Sequence, residues 1–200
     1  MSVDDKLRQE LLAMAREDLR VREELANDGS LYGGYHPRMR KVHERNAAKL
    51  REILDVHGWP GQSLVGDRGA EAAWLIVQHA IGDPPLQRRC LALLRAAAAA
   101  GDAPTLQVAM LDDRIRTFEG RGQLYGTQYD WDEQGQMSPL PIEDAAHVDE
   151  RRRRLGLLPL DEETRRRRIA VAQSGEQRPQ DWDAFQRRAE EWLRSAGWRP

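Results

Sequence analysis

AEAAWLIVQHAI, residues 70–81, is the stretch that decides how this chain folds. After Glu71 only Gln78 and His79 are polar. A segment apolar almost all round reads as a helix buried inside the protein. Its two polar side chains need partners there, because an unpaired buried group costs roughly 1–3 kcal/mol. Downstream lies LDDRIRTFEGRGQLYGTQ, Leu111 to Gln128, dense in groups able to serve.

On the N-terminal side, Leu7, Leu11, Met14, Val21 and Leu25 recur at helical spacing, so a long helix is expected to about Ala26, with Ser2 and Asp5 as its capping pair. NDGSLYGGYHP (27–37) reads as a loop, and a second helix is expected from about Arg38 to His57, ended by Gly58. GWPGQSLVGDRG (58–69) reads as an irregular connector. Beyond the buried helix, Gly82 with Asp83 and Gly101 with Asp102 repeat a stop-and-cap pattern around helices expected at Pro84–Ala100 and Thr105–Phe118. The whole predicts a mainly α fold, a multi-helix orthogonal or antiparallel bundle with a small β-hairpin near residues 123–142. Residues 1–173 are expected to form this helical domain around the buried helix 70–81. Residues 174–200 are expected to be a linker and an amphipathic helix with Trp182, Phe185, Trp192 and Leu193 on one face.

Composition narrows the function. The 200 residues carry a net charge of −2 and a pI near 6.2, so no global field favours a polyanion. The runs Arg151–Arg154 and Arg165–Arg168 follow acids at helical spacing and read as solvated ion-paired faces; nucleic acid is not an expected partner. Basic residues are nearly all arginine, a composition suggestive of a bacterial genome. Cys90 is the single cysteine, which excludes a disulfide framework. No apolar run reaches the ~18 residues of a membrane span, and MSVDDKLRQELLAM lacks the makings of a signal peptide. A cytoplasmic protein with no membrane partner is expected.

The ordered set GWPGQSLVG, AAWLIVQHA, DDRIRTFEGRGQLYGTQ, PIED and RRRRLGLLPL resembles a bacterial family of domains of unknown function with the pattern GWP…VG…QHA…DR…G…Q-YGTQ. The resemblance spans about Leu7 to Leu160. It implies shared domain limits and a shared site but no reaction. The Trp-containing segment after Ser174 lies outside the pattern.

His79 is the imidazole inside the apolar helix, and an imidazole suits general acid–base work. Asp113 is expected to orient or charge-tune it. Arg114 suits an anionic group. Gln78 lies about a hundred degrees round the helix from His79 and is expected to bind substrate or bridge loop backbone. In an extended GQLYGTQ, Gln123, Tyr125 and Thr127 line one side and present an amide, a phenol and a hydroxyl; Gln128 adds a polar edge on the other. His36, His43 and His57 show no short metal-ligand spacing with His79, so neither a metal nor a cofactor is expected. Two readings follow. One is an enzyme acting through His79 and Asp113 on a small polar or anionic metabolite, by hydrolysis, elimination or cyclisation. The other is a non-catalytic binding or regulatory module whose Gln78–His79 and YGTQ residues are a structural polar core. The C-terminal helix then recruits a homodimer mate or a protein partner.

Overall fold

A computed structural model describes residues 3–200. The fold is mainly α: helices α1 (Asp5–Asn27), α2 (Pro37–His57), α3 (Gln62–His79), α4 (Pro84–Ala99), α5 (Thr105–Phe118), α6 (Val148–Arg154), α7 (Leu160–Ser174) and α8 (Trp182–Ser195). The strands β1 (Tyr129–Trp131) and β2 (Met137–Pro139) form an antiparallel hairpin with Tyr129 opposite Pro139 and Trp131 opposite Met137. It is narrower than the expected 123–142. The chain divides into two compact units, Met1–Val108 and Ala109–Pro200, with the division inside α5. Among the described residues no helix is long and apolar enough to cross a membrane.

In the first unit, α1 packs chiefly on α3, and both touch α2. Asp4 caps α1 by accepting from the Leu7 N–H at 2.9 Å; the expected Ser2 cap lies outside the described residues. The buried stripe of α1 is Leu7, Leu11, Ala15, Asp18, Val21 and Leu25. That of α2 runs Met39, Val42, His43, Asn46, Ala47, Leu50, Ile53 and Leu54. Both stripes are helical in period, yet Asp18, His43 and Asn46 occupy positions where an apolar side chain is the rule. Val21, Leu25, Met39 and Val42 form one apolar cluster, with Leu31 and Tyr35 packed against it.

The connector expected at 58–69 is partly helical. Helix α3 starts at Gln62, breaks at Gly66 (φ 68°, ψ 169°) and ends at His79. The cap comes from far along the chain. Asp102 accepts from the Ser63 N–H (2.6 Å) and the Ser63 hydroxyl (3.0 Å), and its carbonyl accepts from the Gln62 N–H at 3.1 Å. No local pattern announces a cap supplied by the α4–α5 loop. The early end at His79 is legible in hindsight, since Asp83 caps α4 by accepting from the Leu86 N–H at 3.1 Å.

In the second unit the C-terminal segment is docked. Trp182 and Trp198 are buried. Phe118 packs edge-on to Trp192 (ring centroids 6.0 Å) and against Trp198 (5.1 Å). Arg199 donates to the carbonyls of Phe118 (2.9 Å) and Thr117 (3.0 Å). The stretch 174–180 is not free either, because Arg178 donates to the carbonyls of Asp132 (3.1 Å) and Glu133 (2.9 Å) at the hairpin turn.

The Asp102 cap requires glycine beside it. A Cβ on Gly61 would meet the Asp102 carboxylate and stand 2.8 Å from its carbonyl oxygen. Gly61→Ala is expected to lower stability by about 1–3 kcal/mol, read as a lower urea midpoint with an unchanged slope; a neutral result would mean that the cap is dispensable.

Candidate functional site

Three helices bring their out-of-register polar residues to one point. Asp18 comes from α1, His43 from α2, and His79 is the last residue of α3. Asp18 is 0 % exposed. Its Oδ1 lies 2.7 Å from His79 Nδ1, and its Oδ2 lies 3.4 Å from His43 Nε2. On its far side His43 Nδ1 meets the Tyr35 hydroxyl at 2.8 Å, with the two rings stacked 5.6 Å apart. The imidazoles stand 5.4 Å apart, tilted by 41°.

Hydrogen-bonding roles follow from chemistry. An ionised carboxylate only accepts, so the proton on His79 sits on Nδ1, and in the neutral ring Nε2 carries the lone pair. Among the described residues Nε2 has no hydrogen-bond partner, and the side chain is 23 % exposed. Burial first, then the charges of Glu44 and Asp18, push the Tyr35 phenol above its ordinary range, so it stays protonated. It can donate to His43 Nδ1, and in the tautomer that accepts there the Nε2–H of His43 faces Asp18. That last contact is loose: neither Asp18 Oδ2 nor His43 Nε2 has a hydrogen bond, though both are sealed from solvent. Burial opposes ionisation of Asp18, but the two imidazoles that face it, His43 and His79, outweigh it and hold the carboxyl at about 2.

The carboxylate expected beside His79 was Asp113; the partner His79 takes is Asp18. Asp113 is buried on α5 and committed to the loop that follows. It accepts from the N–H groups of Leu124 (2.6 Å), Tyr125 (3.1 Å) and Thr127 (3.0 Å) and from the Thr127 hydroxyl (3.0 Å). Burial pushes its pKa up, and these bonds offset only part of the rise. The carbonyls of the same loop are taken from the other side. Arg151 Nε donates to Leu124 O (2.7 Å), and Arg152 Nη1 to Tyr125 O (2.6 Å) and Gly126 O (3.2 Å). The first arginine run is therefore not simply a solvated face: Arg152 is buried, because a guanidinium is the side chain best able to satisfy several carbonyls at once.

The other expected ligand-reading residues divide in the same way. Gln123 is buried, its amide donating to Gln128 O (2.9 Å) and Leu140 O (2.8 Å) and accepting from the Gln128 N–H (2.9 Å). Gln128 donates to the Thr127 hydroxyl at 3.1 Å. Of the expected row Gln123, Tyr125 and Thr127, only the half-buried Tyr125 keeps its side-chain polar group out of such bonds among the described residues. Arg114 is half-buried beside Asp113. Gln78 is buried one residue before His79, its carbonyl accepting from Gln87 at 3.4 Å. Asp18 and Tyr35 are absent from the sequence-based expectation, and His43 enters it only as a metal ligand set aside for want of short spacing with His79. The signal for Asp18 and His43 is an acid or an imidazole at an apolar register of an otherwise regular stripe.

Comparison with known proteins gives a family and nothing nearer. The model of a family of unknown function, DUF6624, matches residues 5–172. No curated protein and no solved structure matches the chain.

Two outcomes follow from the two buried carboxylates. The folded pKa of Asp18 lies below its ordinary 3.8, so its contribution is present above that value and lost as pH falls through about 2. Stability should drop by about 2 kcal/mol across this window, and the acid limb of a denaturation-versus-pH curve should be flatter in Asp18→Asn. Asp113→Ala strands three N–H groups and should cost about 3 kcal/mol or more, against under about 1 kcal/mol for Tyr125→Phe, both read from denaturant midpoints.

Proposed function

Because the chain belongs to this family of unknown function, its activity has to be argued from the site, and we propose an enzyme that transfers protons on a small polar or anionic metabolite through His79. The carrying observation is the 2.7 Å contact between His79 Nδ1 and the sealed carboxylate of Asp18, on a ring that still reaches solvent. Asp18 holds the ring in one tautomer and stabilises the imidazolium that forms when Nε2 takes a proton, the division of labour that a carboxylate–imidazole pair performs in acyl-transfer enzymes. His43 and Tyr35 act through Asp18 as positioning residues. The reactions open to such a group are hydrolysis, elimination and cyclisation. We assign the activity to a bacterial cytoplasmic pathway, in keeping with the arginine-rich composition.

The second reading is a binding or regulatory module without chemistry. It is favoured by the second unit, where Asp113, Gln123, Thr127 and Arg152 are engaged in holding one loop. On that reading the C-terminal helix serves a homodimer mate or a protein partner.

Diethyl pyrocarbonate at neutral pH tests the first reading without knowledge of the substrate. Peptide mass spectrometry of the folded chain should find His79 modified and the buried His43 untouched; an unreactive His79 would sink the proposal. In a melting-shift screen of small carboxylates, amides and phosphate esters, a hit on the wild type should vanish in a folded His79→Gln variant. With a turned-over hit, that variant should lose about 10²–10⁴-fold in kcat.

A further inference from the structure

Proton transfer by His79 leaves one property of the cluster unused. Asp18 Oδ2 and His43 Nε2 face each other at 3.4 Å, both sealed from solvent, and neither makes a hydrogen bond. Both side chains are more than nine-tenths buried. Buried polar atoms are seldom left so, and an ion between them satisfies both at once. On the other carboxylate oxygen stands a second imidazole nitrogen. The donor atoms of the three residues all lie within 4.8 Å of one another.

We propose that Asp18, His43 and His79 bind a first-row divalent metal ion of the zinc class through one carboxylate and two imidazole nitrogens. Imidazole and carboxylate together suit zinc and its neighbours, and three protein ligands leave a further position for water or substrate. The surroundings fit a ligand set. With the ion on His43 Nε2, the proton of that ring moves to Nδ1 and is donated to the Tyr35 oxygen, the outer support that ligating histidines usually have. His79 likewise gives Nδ1 to the ion and carries its proton on Nε2. Each neutral ring changes tautomer only, so no proton is gained or lost overall and nothing is oxidised. The ion adds two positive charges to the one negative charge of Asp18, leaving a site that favours an anionic ligand.

The inference rests on the reading of this cluster as the reactive site and gives it a second state. Without the ion, His79 Nε2 accepts a proton. With it, that nitrogen is already protonated, and the open position on the ion takes its place.

The full chain, stripped with EDTA, would be titrated with zinc chloride in competition with a chromogenic chelator, and with cobalt chloride by visible absorption. Uptake of one ion per chain is expected, with the visible bands of low-coordinate cobalt. Affinity should fall by ~10-fold or more in Asp18→Asn and His43→Gln and by ~10-fold in Tyr35→Phe, which keeps all three donors; it should be unchanged in His57→Ala, an exposed histidine. Melting curves identify any variant that fails to fold, and Tyr35→Phe with His57→Ala then carry the test. No uptake by the wild type, or uptake indifferent to the folded variants, overturns the site. The two readings fail separately. No zinc uptake with a carbethoxylated His79 removes the metal and leaves acid–base chemistry standing; zinc uptake with an unreactive His79 in the stripped chain does the reverse.

Discussion

Asp18 carries its charge at a place closed to bulk solvent, and three helices of the first unit meet around it. An isolated carboxylate in such surroundings would protonate or prevent folding; it persists where partners hold it. The partners arrive from two other helices, His43 on α2 and His79 at the end of α3. One buried charge thus ties three helices at a single point, beside the apolar cluster of Val21, Leu25, Met39 and Val42. The same tie orients the outward nitrogen of His79. The contact that holds the three helices together is thus also the one that fixes the His79 ring.

The two buried aspartates make an instructive contrast. Asp113 meets backbone N–H groups of its own downstream loop, and Arg151 and Arg152 take the carbonyls of that loop from the other side. Donors and acceptors there are matched, and the result is a fixed turn. Around Asp18 the matching is incomplete. One oxygen has a short imidazole contact, and the other faces a nitrogen it does not hydrogen-bond. Fully satisfied polar networks rigidify; incompletely satisfied ones are where a proton or an ion can still be exchanged.

Much of this was legible before any fold was known. His79 stood out in AEAAWLIVQHAI because an imidazole in apolar surroundings requires a partner. Its partner is less plain, because Asp113 stands downstream in a dense polar stretch whereas Asp18 stands upstream in a stripe otherwise built of Leu7, Leu11, Ala15, Val21 and Leu25. A carboxylate at a core register was the stronger signal. Arg152 was hidden differently: four arginines in a row look alike, and only packing selects the one whose guanidinium turns inward. The start of α3 depended on Asp102, a cap from another loop, which no local pattern contains.

From the chain itself came the helices, the hairpin and the imidazole of His79 in its apolar run, because periodicity and capping are encoded within a few residues of where they act. The pairing of His79 with Asp18, the loose contact to His43 and the clamp on the YGTQ loop belong to the tertiary structure alone. Each joins residues from different elements, and which of those groups meet is decided by how the elements pack, a property of no single segment.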